Sequence, residues 1–175
     1  MPMLELGPGD YWIGTGRGLV RLDHTMAVAD RFTAEDGLPN NWVHTLHLID
    51  ERTLLVGTQG GPVLLDLPSR RLTEVNLGDH PGARRLDQFV LSAFRDQSDV
   101  LWLGTAGALA RVTLGSDRFT KHLYPGHRAI SVAEDAVGRL WLGGNDGRLR
   151  YVDWETQQPA SMRGREAVAA GGGRS

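Results

Sequence analysis

The sequence predicts an all-β fold made of about four copies of one four-stranded antiparallel unit. Three observations carry that expectation. A core phrase recurs at near-regular spacing, turn formers are dense with large rings between them, and no window of helical period competes. The core phrase reads YWIGT at Tyr11 to Thr15, LLVGT at Leu54 to Thr58, LWLGT at Leu101 to Thr105 and LWLGG at Leu140 to Gly144. Its second residues, Trp12, Leu55, Trp102 and Trp141, are 43, 47 and 39 residues apart, the period of a four-stranded propeller blade. The 175 residues include 23 glycines, 8 prolines and 5 tryptophans, which favours short strands over long helices.

The elements follow in order within each repeat. An apolar strand closed by an acidic turn precedes three of the cores, at Val43 to Thr53, Phe89 to Asp99 and Ala129 to Gly138. The core phrase is the second strand. A turn and a third strand come next, at Gly18 to Asp23, Gly61 to Asp66, from Ala108 in GALARVT, and at Gly147 to Asp153. A fourth strand follows at Asp30 to Thr33, Arg70 to Thr73 and Asp117 to Thr120, the first and last of these sharing the tetrapeptide DRFT. Only ten residues precede Tyr11 and none repeats the apolar first strand, so the first blade is expected to be incomplete. The last outer strand should fall near Gln157 to Ala160, but QQPAS lacks alternation, and that blade is expected to be frayed or incomplete.

Adjacent apolar residues in LWLG point to opposite sides of a sheet, so each sheet has two apolar faces. Radial stacking covers both faces of every sheet except the terminal two, which makes these repeats β-propeller blades, in a partial propeller or a small ring. The second core residue should lie between neighbouring blades. The repeat segment is expected over residues 10–162, and the glycine-rich, basic residues 163–175 read as a flexible tail. Three arrangements would dry the outer faces. Two chains would pair as a homodimer closing a ring of about eight blades, further blades would come from a contiguous reading frame, or four blades would close on themselves.

These residues resemble the regulator-propeller repeats in the sensory region of bacterial hybrid two-component regulators. That family repeats a phrase close to FTxxDGLPxNxVxxIxxDxxGxLWxGTxxGLxRxD. Phe32 to Asp66 reads FTAEDGLPNNWVHTLHLIDERTLLVGTQGGPVLLD, and DAVGRLWLGGNDGRLRYVD at Asp135 to Asp153 is a second close copy. The resemblance covers roughly Asp10 to Asp153. Departures are Glu51-Arg52 in place of an Asp-Gly-like turn, Leu55 in place of tryptophan, and a single DGLPNN segment at Asp36 to Asn41. The resemblance implies a non-enzymatic, ligand-sensing or interaction propeller segment in the periplasm, within a longer polypeptide that carries transmembrane and output modules. No stretch here approaches the ~20 apolar residues of a membrane helix, and the start lacks the basic and apolar regions of a signal peptide. Direct membrane insertion is not expected.

Composition narrows the chemistry. The 19 basic and 21 acidic residues give a net charge of −2, which argues against nucleic-acid binding by bulk charge. With no cysteine, disulfides, thiolate metal sites and cysteine nucleophiles are excluded. No nucleophile elbow, zinc-protease helix, Walker A loop or Ser-x-x-Lys motif is present. GTGRG at Gly14 to Gly18 leads into a strand rather than the helix a phosphate loop needs, so it reads as a turn. His44 and His47, three apart on a strand, diverge and read as packing residues. GGNDG at Gly143 to Gly147 supplies too few oxygens for calcium. The recurring Asp50, Asp96 and Asp135 read as turn aspartates that bond their own backbone. Neither a metal nor a cofactor is expected.

In a propeller, the turns between second and third strands share one face of the channel with the links entering each innermost strand. That face carries Arg17, Asn40, Asn41, Trp42, Gln59, His127, Arg128, Asn145 and Asp146. Aromatic, amide and charged groups together suit a polar small molecule such as a saccharide. Two alternatives compete: a partner-binding scaffold, and a propeller lyase that resembles streptogramin lyases. The lyase needs a histidine acid/base and a divalent metal, and His127 is the one histidine placed for it.

Overall fold

In the computed structural model each repeat folds as a four-stranded antiparallel meander. The structure describes residues 1–75, 89–112, 121–125, 129–144, 146–153 and 158–161. The first sheet comprises β1 (Met3–Gly7), β2 (Asp10–Thr15), β3 (Gly18–Leu22) and β4 (Val28–Phe32). The second comprises β5 (Val43–Asp50), β6 (Thr53–Thr58), β7 (Gly61–Asp66) and β8 (Leu72–Glu74). The third comprises β9 (Val90–Arg95), β10 (Leu101–Thr105), β11 (Ala108–Val112) and β12 (Lys121–Pro125). The fourth comprises β13 (Ser131–Glu134), β14 (Leu140–Gly143), β15 (Leu149–Asp153) and β16 (Gln158–Ser161). Within every sheet the strands lie in sequence order, the meander of a propeller blade.

Three expectations are corrected. The first blade is complete, because Met3–Gly7 pairs with β2 with Leu4 opposite Trp12. Leu4 and Leu6 pack on the first interior cluster, so MLELG supplies the missing strand without the long apolar run seen elsewhere. The fourth blade is also complete, since Gln158–Ser161 pairs with β15. Pro159 lies there opposite Val152, on an edge strand where a missing N–H is tolerated. In the third blade the outer strand is Lys121–Pro125, directly after the expected DRFT, while Asp117 to Thr120 lie outside the described residues. The expected tail, residues 163–175, also lies outside them.

Alternation sends successive core residues to opposite interfaces, and the interior divides accordingly. Trp12 and Leu19 of blade 1 pack with Leu54, Val56, Val63 and Leu65 of blade 2. Leu55 of blade 2 packs with Leu101, Leu103, Ala110 and Val112 of blade 3. Trp102 of blade 3 packs with Leu140, Leu142 and Val152 of blade 4. Thus the second core residue faces the following blade, while the first and third face the preceding one. Trp12 and Trp102 are fully buried. Trp141 has the same position in its strand but is half-buried. The core glycine permits this approach: a Cβ on Gly14 would lie 2.5 Å from Val43 Cγ1, and one on Gly57 2.5 Å from Thr45 Cγ2 and 2.8 Å from Val90 Cγ1.

The acidic turns act as anticipated and also do something more. Asp50 Oδ1 accepts from the Arg52 N–H, Asp96 Oδ1 from Ser98 and Val100, and Asp135 Oδ1 from Val137 and Arg139. The second oxygen of Asp96 accepts from Trp102 Nε1 at 2.7 Å, and that of Asp135 from Trp141 Nε1 at 2.9 Å. The indole bond, foremost among its partners, holds the Asp135 carboxyl well below the usual carboxylate range. Blade 2 has neither the tryptophan nor this bond. In blade 1 the turn is Gly7-Pro8-Gly9, and Trp12 Nε1 finds no hydrogen-bond partner among the described residues. The Trp12 ring lies instead beneath the guanidinium groups of Arg21, at 5.9 Å, and Arg70, at 5.4 Å.

Truncating Trp102 to Ala should cost roughly 3–5 kcal/mol, measured by urea unfolding, because it empties the interface between blades 3 and 4. Asp96→Ala should cost about 1–3 kcal/mol, since it leaves a buried indole N–H unpaired.

Candidate functional site

One end of the blades is defined by hydrogen bonds between β2–β3-type turns and the links that enter innermost strands. Gly18 N–H donates to Asn41 O at 2.8 Å, Gln59 N–H to Trp42 O at 3.0 Å, and Ala106 N–H to Phe89 O at 2.9 Å. Each turn is clamped by the threonine that ends the core phrase. Thr15, Thr58 and Thr105 donate from Oγ1 to the carbonyls of Gly18, Gly61 and Ala108 at 2.7–2.8 Å. Thr58 and Thr105 are fully buried, which their recurrence after the core glycine signals in the sequence. The fourth core ends in Gly144, whose turn is closed by the backbone bonds Gly144 N–H to Arg148 O and Gly147 N–H to Gly144 O, with the Arg148 N–H also donating to Asp146 Oδ1.

DGLPNN is a scaffold for this face. Thr33 and Asp36 cap a single 3-10 turn over Ala34–Asp36, and Gly37 leaves it at φ 108°, a conformation that favours glycine. Leu38 then buries between blades 1 and 2. Asn41 Oδ1 accepts from the Ala34 N–H at 2.7 Å and Asn40 Oδ1 from the Trp42 N–H at 2.8 Å, so both amide oxygens are used in shaping the link. The outcome is a fixed backbone at Trp42 with a ring that is 56% exposed.

A cleft of about 300 Å³ opens beside that ring, lined by Met1, Pro2, Thr15, Gly16, Trp42, Val43 and His44. His44 extends the aromatic surface. Its ring centroid is 6.2 Å from that of Trp42 and 4.7 Å from that of Phe89 in the link to blade 3. His44 follows Val43, where a bulge shifts the pairing of β5 with β6, and this turns its ring toward the link. His47 pairs opposite Leu55 deeper in the strand, so the two histidines do diverge. Burial pushes both imidazoles below the usual histidine value, with Arg95 adding repulsion at His47. Both Nε2 atoms are buried without a hydrogen-bond partner among the described residues.

Of the nine residues anticipated on this face, Trp42 lines the cleft. Arg17 and Gln59 are exposed on the turns of blades 1 and 2, and Asn40 and Asn41 shape the link. Asp146 is exposed on the corresponding turn of blade 4. Its carboxyl is pulled down to about 2, first by the Arg150 guanidinium at 2.5 Å, so it serves a local ion pair. His127, Arg128 and Asn145 lie outside the described residues. Sequence reasoning missed His44, Thr15 and the N-terminal Met1 and Pro2; only the aromatic spacing of Trp42 and His44 hinted at the first. Among the described residues no cluster of three His, Asp or Glu side chains is placed to hold a metal ion. Among them, too, no helix is long and apolar enough to cross a membrane.

No protein-family model and no curated protein matches the chain. Solved structures of several kinds are similar to it. An extracellular domain of a hybrid two-component system from B. thetaiotaomicron superposes at TM-score 0.77 with 23% identity, over 92% of this chain and 21% of that one. A second such domain from B. thetaiotaomicron gives TM-score 0.65 and 20% identity, over 89% and 20%. The WD40 β-propeller domain of Doa1 gives 0.66 and 12%, over 86% and 49%. At these identities the likeness establishes the fold, a β-propeller. The chain spans about a fifth of the length of the two-component domains it matches.

Stability should fall as pH drops below about 6.5, the ordinary histidine value. A histidine whose folded value is depressed binds its proton less readily than the unfolded chain does, so protons favour unfolding down through the folded value. Urea midpoints at pH 7 and pH 5 should show this loss. His47→Leu should shrink it and raise stability at pH 7 by about 1 kcal/mol, because an unpaired buried nitrogen is removed.

Proposed function

We propose that this chain is a non-enzymatic segment of a sensory β-propeller in the periplasm, and that it binds a polar ligand such as a saccharide at the channel-face cleft. The observation that carries this reading is Trp42. Its backbone N–H donates to Asn40 Oδ1 and its carbonyl accepts from the Gln59 N–H, yet its ring is left largely in solvent at the lip of a cleft. Packing does not call for a large ring there, and an exposed, rigidly mounted aromatic provides a stacking platform with little entropy to lose on binding. The apolar face of a sugar ring would stack on it, with the exposed Arg17, next in the chain to Gly16 of the cleft lining, available to its hydroxyl groups. The likeness to extracellular domains of two-component systems supports a sensory role and a periplasmic setting.

Titration calorimetry against a panel of oligosaccharides should reveal at least one ligand, with quenching of tryptophan fluorescence. Trp42→Ala should weaken it roughly ten-fold or more, about 1.4 kcal/mol, and leave the unfolding midpoint nearly unchanged. Absence of heat across the panel, or binding indifferent to Trp42, would overturn the proposal in favour of a scaffold.

A further inference from the structure

We propose that the two outer sheet faces of this chain bind a second copy of it, the fourth blade of each chain packing on the first blade of the other in a ring of eight blades. The inference is independent of what the channel cleft binds.

Every interface inside the chain follows one rule, and both outer faces continue it. At an occupied interface the first and third core residues of the following blade are sealed: Leu54 and Val56 are 0% exposed, Leu101 and Leu103 1% and 0%. The equivalent pair in blade 1 is Tyr11 and Ile13. With Val20 and Leu22 opposite them on β3, they form an apolar face that belongs to no interior cluster and stays half-buried. On the other side, Trp12 and Trp102 are sealed by the blade that follows, whereas Trp141 is half-buried beside Tyr151, ring centroids 5.5 Å apart. The fourth blade therefore presents a tryptophan face of the kind that fills the interfaces between blades 1 to 4, and the first blade an apolar face of the kind that receives one.

A polar contact at the last internal interface repeats the complementarity. The Gln97 N–H of blade 3 donates to Glu134 Oε2 of blade 4 at 2.8 Å. Gln97 follows the turn aspartate Asp96, and Glu134 lies on the innermost strand opposite Leu140, the residue before the core tryptophan. The counterpart of Gln97 in blade 4 is Ala136, exposed after Asp135. The counterpart of Glu134 in blade 1 is Glu5, exposed on β1 opposite Tyr11, the residue before Trp12. A backbone N–H and a carboxylate thus occupy the matching places on the outward faces of blades 4 and 1, the Glu5 carboxylate also accepting from its own Gly9 N–H at 3.2 Å. With the four blades of the described residues in each chain, a two-fold axis along the channel makes both junctions identical.

Light scattering on the purified chain should give about twice 19.1 kDa. Ile13→Arg on one face and Trp141→Ala on the other should each weaken association roughly ten-fold or more, as loss of a central anchor does. The chain has no cysteine, so Glu5→Cys and Ala136→Cys chains can be co-expressed and treated with a short bis-maleimide. A covalent two-chain product is expected from the mixture and from neither variant alone, with Gln97→Cys/Glu134→Cys in one chain as the intramolecular control. The cross-link decides the matter if the face variants do not fold. A folded single-chain species, assemblies larger than two chains, or a dimer that does not cross-link at these positions would each overturn the proposal. Saccharide binding by a single-chain species would separate failure of the ring from failure of the ligand reading.

Discussion

Each sheet in this protein is apolar on both faces, and that constraint organises everything else. A β-strand alternates its side chains, so a phrase such as Leu-Trp-Leu-Gly places leucines on one side and the tryptophan on the other. Neither side can stay in water without cost, and only lateral stacking covers both. The three interior clusters are the direct result, each drawn from two successive blades. The core glycine belongs to the same arrangement, because the neighbouring innermost strand passes where its side chain would be.

The tryptophan and the turn aspartate behave as one device. A carboxylate that closes the β-hairpin with one oxygen uses the other to accept the indole N–H six residues on, at Asp96 and Asp135. Burying an indole leaves its N–H in need of a partner, and the turn delivers one. Where the turn differs, the bond between indole and carboxylate is lost. Blade 2 has a shorter turn and a leucine, which needs no acceptor. Blade 1 keeps the tryptophan without the aspartate and covers it with two arginines, which Asp10 and Asp30 hold in place at 2.6–3.2 Å.

The channel face combines fixed and free groups. Thr15, Asn40, Asn41 and Asp36 spend their polar atoms on the loop backbone, leaving a rigid rim. Trp42 and His44 spend little on it. A surface made this way has its shape decided by the first group and its chemistry offered by the second, the usual division at binding loops on a rigid scaffold.

The repeat period, the alternation within LWLG and the turn aspartates were legible because they are local and recur, and they were enough to specify blades and to say which core residues lie between them. The first strand was not legible: MLELG has only partial alternation and a Gly-Pro-Gly turn, and it becomes a strand because β2 offers an unpaired edge. Gln158–Ser161 likewise pairs through its backbone, where the sequence gives little signal. Of the channel face, the sequence named Trp42 but credited Asn40 and Asn41 with free amides and passed over His44. Which polar atoms are consumed by the backbone, and which rings come together beside the cleft, depend on contacts between distant turns and links. Local pattern by itself determined the repeating sheet; only tertiary packing decided the cleft, because contacts between segments remote in the chain set its walls.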